Sequence, residues 1–118
     1  MDNIQRYFSD IRHYPLLTAA EEVELGHKIA LGDKAAREKM IVSNLRLVIA
    51  IAKKCQHLGA PLEDLISEGN RALVEMVEKY NPDLGFRFST YCGPWVKVAV
   101  HRYIDQREKT VRLPVYLH

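Results

Sequence analysis

Apolar side chains return every third or fourth residue from Ile4 to Ile104, and no stretch alternates apolar with polar residues for long enough to argue a strand. A chain with only that period buries its apolar surface by packing helix stripes against one another, so the fold class is all-α. With 118 residues, 47% of them hydrophobic and 27% charged, it fits a single domain with a real core and no need of disulfides or metal. We expect a compact bundle of about five helices with an extended C-terminal tail.

Residues 1–31 read as a preceding helical segment, 33–106 as the core and 107–118 as the start of a linker. Asn3 to Arg12 places Ile4, Tyr7, Phe8 and Ile11 on one side of a short helix that Pro15 stops. Thr18 with Glu21 forms a capping box for a second helix reaching about Leu31, with Val23, Ile29 and Ala30 among its apolar positions. Gly32 ends that helix and Asp33 caps the next. The third is read as one long helix, Lys34 to Cys55, with Met40, Ile41, Leu45, Val48, Ile49 and Ala52 inward. Asn44, in the polar interruption around Ser43 and Arg46, is expected to face solvent.

Gly59 and Pro61 mark a stop and a restart. The fourth helix, about Pro61 to Tyr80, buries Leu62, Leu65, Ile66, Leu73, Met76, Val77 and Tyr80 and carries Glu63, Asp64, Ser67, Glu68, Asn70 and Arg71 on its other face. A solvated acidic face is the ordinary reading of such a run. Asn81 to Gly85 is a turn, and Ser89 is placed to cap a final helix ending near Gln106, before Arg112-Leu113-Pro114 turns the backbone extended.

The formal net charge of +2 excludes a histone-like polycation, so contact with nucleic acid needs a local basic surface. Cations do gather late in the chain, at Lys97, Arg102, Arg107, Lys109 and Arg112. Cys55 and Cys92, with no secretory signal at Met1-Asp2-Asn3, point to free thiols in a reducing compartment and a cytoplasmic protein. The apolar run Leu47 to Ala52 is much too short to span a bilayer. Cys55-x-His57 is half a metal site, and no second ligand pair stands at matching spacing. The sequence has no glycine-rich phosphate loop and no nucleophile elbow, so neither enzyme nor cofactor is expected.

The run Phe86-Arg87-Phe88-Ser89-Thr90-Tyr91-Cys92-Gly93-Pro94-Trp95-Val96-Lys97 interleaves rings with cations and leads into an amphipathic helix. Such a surface suits a chain that stacks unpaired bases while neutralising phosphate, although any of these rings could equally serve a core. Spacing side chains about a hundred degrees apart puts Cys92, Val96, Ala99, Val100, Tyr103 and Ile104 on one half of the helix. Tyr91, Pro94, Trp95, Lys97, Val98, His101 and Arg102 fall on the other. If Ser89 is the cap, Pro94 lies beyond the first turn, where it costs about 3 kcal/mol, and a break at Cys92 to Pro94 is expected.

Four segments closely resemble the second conserved region of bacterial sigma factors: Asn44 to Val48, Asp64 to Asn70, Gly85 to Tyr91 and Lys109 to Pro114. Tyr7-Phe8 through Pro15 to Glu22 is similar to the short segment preceding it. The resemblance implies a non-enzymatic, nucleoid-associated subunit that opens promoters for RNA polymerase. It implies docking on a coiled coil of the polymerase β′ subunit through Leu45, Asp64, Ser67, Glu68, Asn70 and Val74, with Ser67 where a glutamine is usual. It further implies capture of the non-template strand of the minus-ten element by Phe86, Phe88, Tyr91 and Trp95. Asn44 and Leu47 then match the pocket for a second flipped base, Ser89 and Thr90 lie within the same run, and Arg87, Lys97 and Arg102 hold phosphates. An anti-sigma factor is a further partner that the resemblance leaves open.

The departures carry information too. The usual tryptophan pair is here Pro94-Trp95, and Val98 and His101 replace the glutamine and threonine that read the first base pair of the element. Valine cannot make the hydrogen bonds of base-edge readout. The leading expectation is a promoter-recognition domain of an alternative sigma factor. The rival is a polymerase-binding adaptor or competitor that has lost promoter reading. Nothing resembles the later regions that bind the minus-thirty-five element, which leaves both a fragment and a reduced stand-alone factor open.

Overall fold

The computed structural model describes residues 3–116, with side chains for residues 4–107. It is an all-α bundle: α1 (Asn3–Ile11), α2 (Ala19–Ala30), α3 (Lys34–Val42), α4 (Leu45–Cys55), α5 (Leu62–Lys79) and α6 (Phe88–Tyr116). Short 3-10 turns at Gln56–Leu58 and Pro82–Leu84 join α4 to α5 and α5 to α6.

The core lies where α4, α5 and α6 meet, around Val48, Leu65, Leu73, Val77, Val96 and Val100, all without accessible surface. Each such side chain contributes roughly 1.5–3 kcal/mol on burial, which outweighs any single local propensity. The three helices approach closely at Gly69. A Cβ there would lie 2.6 Å from Cγ1 of Val48 and 3.3 Å from Cγ1 of Val96, so no larger residue fits without a shift. Helix α2 packs on α3 and the Pro82–Leu84 turn, and α1 lies across α4 and α5, with Lys53 of α4 4.6 Å over the Phe8 ring.

Several local expectations hold in detail. Thr18 and Glu21 form the reciprocal capping box, and Asp33 accepts from the Ala36 amide at 3.1 Å. On α6, Cys92, Val96, Val100 and Ile104 are buried while Trp95, Lys97, Val98, His101 and Arg102 are exposed, as the hundred-degree spacing requires.

Four others do not. The expected third helix is two, divided at Ser43-Asn44, and Asn44 is buried rather than solvated, at 8% exposure. Its Nδ2 donates to the Met40 carbonyl at 2.8 Å, so the asparagine satisfies an orphan carbonyl at the end of α3 in place of the helical ladder. In α2 the buried stripe is Glu22, Leu25 and Gly26, while Val23 is exposed.

Ser89 does not cap α6, which begins at Phe88 and is capped from a distant carboxylate described below. Nor does the helix break at Cys92 to Pro94, since α6 is continuous through them. Pro94 removes one backbone donor, and Thr90, whose carbonyl loses that partner, is exposed and open to water. Burial of Cys92 and Val96 on either side offsets the loss. The backbone also remains helical past Gln106 to Tyr116, through Arg112-Leu113-Pro114, where extended chain was expected. Gln106, Arg107, Glu108 and Lys109 are good helix formers, and over that stretch they outweigh the proline signal.

Candidate nucleic-acid interface

The aromatic run is held from beneath by Tyr80, at the C-terminal end of α5. Its hydroxyl donates to the Phe86 carbonyl at 2.7 Å, and its ring meets Phe88 edge-on at 5.2 Å and Tyr91 at a tilt at 5.9 Å. Burial, with the Glu22 carboxylate nearby, pushes the Tyr80 hydroxyl above its usual range, so it stays a donor. Gly85, at φ +84°, makes the left-handed turn that releases Phe86 outward.

The rings then separate by role. Phe86 and Trp95 are 60% and 54% exposed, Tyr91 is half-buried with its hydroxyl donating to the Lys79 carbonyl at 3.4 Å, and Phe88 has no accessible surface. Phe88 is therefore a core residue and not a stacking platform, which corrects its place among the DNA-binding rings. Arg87 is likewise engaged within the fold. Its Nε donates to Glu22 Oε1 at 2.8 Å and its second terminal nitrogen to the Leu17 carbonyl at 3.0 Å. The bond to Glu22 raises the guanidinium's affinity for its proton, so it remains cationic.

Glu22 itself is 3% exposed, and the same Oε1 accepts the Phe88 amide at 3.0 Å. A carboxylate at a helix N-terminus meets both orphan N–H groups and the positive end of the dipole. Beside this contact opens a cleft of about 460 Å³ in which Asn44, Leu47 and Ser89 come together with Leu16, Arg46 and Arg87. Thr90 is exposed one position further along α6.

Further down α6, Pro94, Lys97, Val98, His101 and Arg102 line one shallow cleft of about 560 Å³. His101 Nε2 is 3.6 Å from the buried Sγ of Cys55, so the cysteine faces His101 across the α4–α6 groove, not a metal partner at His57. Lys54 and Lys97 line that groove together with Pro94. Among the described residues no three His, Cys, Asp or Glu side chains group as metal ligands, and no helix is long and apolar enough to cross a membrane.

The acidic face of α5 is less open than its pattern suggested. Asp64 Oδ2 accepts the Tyr103 hydroxyl at 2.8 Å and lies 3.7 Å from Arg107, and this hydrogen bond holds the Tyr103 hydroxyl above its usual range. Glu68 pairs with Arg71 at 3.5 Å, Asn70 donates to the Tyr7 hydroxyl at 3.1 Å, Leu45 and Val74 are half-buried, and Ser67 is exposed. Sequence reasoning singled out neither Glu22 nor Tyr7 nor Tyr103 as partners in these contacts. For Glu22 a signal existed: it stands three residues before Leu25 and seven before Ile29, in the buried stripe of α2.

Fold and surface together define a class: a small all-α domain with an aromatic and cationic helix next to an acidic one. The sequence matches the family descriptions "Sigma-70 region 2" over residues 40–110 and "Sigma-70 factor, region 1.2" over residues 2–35. It is 43% identical over 116 residues to the RNA polymerase sigma factor RpoS of Coxiella burnetii and 41% identical over 116 residues to the RNA polymerase sigma factor SigA of a Bacillus species. Both alignments cover 98% of this chain, which spans 33% and 31% of those relatives, about a third of their length. The chain belongs to the sigma-70 family.

Proposed function

We propose that this chain is the promoter-opening part of an alternative sigma factor, without enzymatic activity of its own. In this reading it docks on the polymerase core, at the β′ coiled coil, through Leu45, Asp64, Ser67, Glu68, Asn70 and Val74, and it captures the non-template strand of the minus-ten element on the exposed side of α6. The observation that carries the reading is Trp95: a tryptophan 54% exposed on a helix whose neighbouring outward residues are Lys97, His101 and Arg102. A large apolar ring among cations, on the side away from the core, suits a base on its face and phosphate alongside. Flipping a base costs a few kcal/mol and each stack returns about 1–3, so Phe86, Tyr91 and Trp95 have to act together.

The test is binding of the chain, alone and with RNA polymerase core, to a fluorescent single-stranded minus-ten oligonucleotide. Trp95→Ala and Tyr91→Ala are expected to weaken binding, and affinity is expected to fall steeply with salt as counterions are released. Unchanged affinity in both variants would remove base stacking from the account.

A second reading is supported by one observation. Val98, 46% exposed, and His101 share a cleft with Pro94, at the positions where the resemblance implies amide, hydroxyl and indole groups. A polymerase-binding adaptor or competitor without promoter reading would need no such groups. It predicts tight core binding with oligonucleotide affinity indifferent to every ring substitution.

A further inference from the structure

His101 and Cys55 meet across the groove between α4 and α6. Nε2 of His101 lies 3.6 Å from Sγ of Cys55, within reach of a hydrogen bond to sulfur, and Cys55 is only 4% exposed. The thiol is thus withdrawn from water, with the imidazole nitrogen in front of it. His101 itself is exposed and lines the cleft of about 560 Å³ on the outer side of α6, together with Lys97, Val98, Arg102 and Asp105.

Only one nitrogen of a neutral imidazole donates, and the bond made by the other decides which. A thiol S–H is a donor and the lone pair of Nε2 its acceptor, so the ring proton belongs on Nδ1. The two nitrogens diverge across the ring, and with Nε2 turned to α4, Nδ1 is left to the cleft. Val98 offers that cleft only methyl groups, while Lys97 and Arg102 carry charges suited to phosphate. His101 is the neutral, directional donor among them.

We propose that Cys55 is a positioning residue that keeps the His101 proton on Nδ1, and that this N–H donates to N7 of a purine in the major groove of the promoter duplex, beside the strand captured on α6. The proposal rests on the reading of the outer side of α6 as the promoter surface. It adds to that reading one base contact and the α4 side chain that sets it. N7 is an acceptor on adenine and guanine alike, whereas the major-groove edge of cytosine presents its N4 amino group, a donor. A fixed Nδ1–H therefore favours a purine and meets a like group at cytosine. With the proton on Nε2 the cleft would hold a bare acceptor, and the preference would turn to amino groups.

The test uses the full chain bound to RNA polymerase core and a fluorescent forked DNA, double-stranded at the upstream edge of the minus-ten element and single-stranded beyond it. Each purine of the duplex part is replaced in turn by its 7-deaza analogue, which keeps base pairing and removes N7. At one position the replacement is expected to weaken binding by about threefold to tenfold, the loss of one hydrogen bond. In His101→Ala the same replacement is expected to make no difference. Cys55→Ala is expected to weaken binding of the unmodified fork by about twofold to fivefold and to leave single-stranded oligonucleotide affinity unchanged. Adding Cys55→Ala to His101→Ala should cost nothing further, because the thiol acts through the imidazole. In the free chain, nitrogen NMR shifts of the His101 ring are expected to show Nδ1 protonated and Nε2 bare, a preference lost in Cys55→Ala.

A proton on Nε2 of the free chain, in the neutral ring or in the imidazolium, would overturn the proposal. So would a 7-deaza effect of equal size in the unsubstituted chain and in His101→Ala, or a Cys55→Ala loss that persists in full when residue 101 is already alanine. If no 7-deaza replacement weakens binding while Trp95→Ala still weakens single-stranded binding, only the His101 contact is lost. If Trp95→Ala and Tyr91→Ala are without effect as well, the promoter surface itself has been misassigned.

Discussion

One oxygen of Glu22 accepts two hydrogen bonds, from the Phe88 amide at 3.0 Å and from Arg87 Nε at 2.8 Å, across 66 and 65 positions of sequence. The carboxylate comes from α2, in the segment that precedes the core, and it ends at the first residue of the helix that carries Tyr91 and Trp95. The N-terminal segment is thereby built into the start of the aromatic surface. Arg87 adds a second tie through the Leu17 carbonyl at 3.0 Å.

Replacing Glu22 therefore tests more than a local cap. Glu22→Ala leaves the Phe88 amide and the Arg87 guanidinium without their shared acceptor and is expected to lower stability by about 2 kcal/mol in urea unfolding. Glu22→Gln keeps an acceptor oxygen and should lose clearly less. Equal losses would mean that charge, and not hydrogen bonding, holds the α6 terminus.

Phe86 and Phe88 stand two positions apart and should respond in opposite ways. Phe88→Ala empties a site with no accessible surface and is expected to destabilise the fold by roughly 3–5 kcal/mol. Phe86→Ala, at an exposed position, is expected to change stability by less than about 0.5 kcal/mol while weakening single-stranded oligonucleotide binding. Thermal melts and oligonucleotide titrations of the two variants decide this together.

Gly69 sits where three helices converge, so Gly69→Ala sets helix propensity against packing. Propensity alone would stabilise α5 by about 1 kcal/mol. The 2.6 Å approach to Val48 Cγ1 is expected to reverse the sign and destabilise by roughly 1–3 kcal/mol. Adding Val48→Ala removes the clashing methyl, so the double variant should be more stable than the sum of the two single losses.

Cys92 supplies a pH dependence at the alkaline end. Burial pushes its thiol from 9.0 up to about 12. Because the folded value lies above the unfolded one, its contribution to stability is fully present below about pH 9 and is lost as the pH rises towards 12. In Cys92→Ala the fall in stability over that window is expected to be shallower. Slow reaction of the Cys92 thiol with an alkylating reagent at pH 8 is the companion expectation.

Much of the fold was legible in the residues because its causes are local. The Thr18–Glu21 box, the Asp33 cap and the buried half of α6 follow from spacing and side-chain chemistry within one or two turns. Local rules misjudged Asn44 and Pro94 for a common reason. Asparagine and proline both disturb the helical ladder, and whether the chain breaks depends on what surrounds them. At Asn44 the amide found the Met40 carbonyl and the helix divided. At Pro94 the buried flanks Cys92 and Val96 kept it whole.

The aromatic run shows the same limit within the candidate site. The sequence by itself determined that rings, cations and a turn would lie together and that one side of α6 would face outward, since helical periodicity needs nothing distant. It could not assign a separate role to each ring. Only the tertiary structure turned Phe88 into the core beneath Tyr80, left Phe86 and Trp95 outside, and tied Arg87 to Glu22. The physical reason is that burial and ion pairing are properties of neighbours brought from afar. Glu22, Tyr7 and Tyr103 each reach their partners across at least 39 positions, and no period in the chain records such a distance.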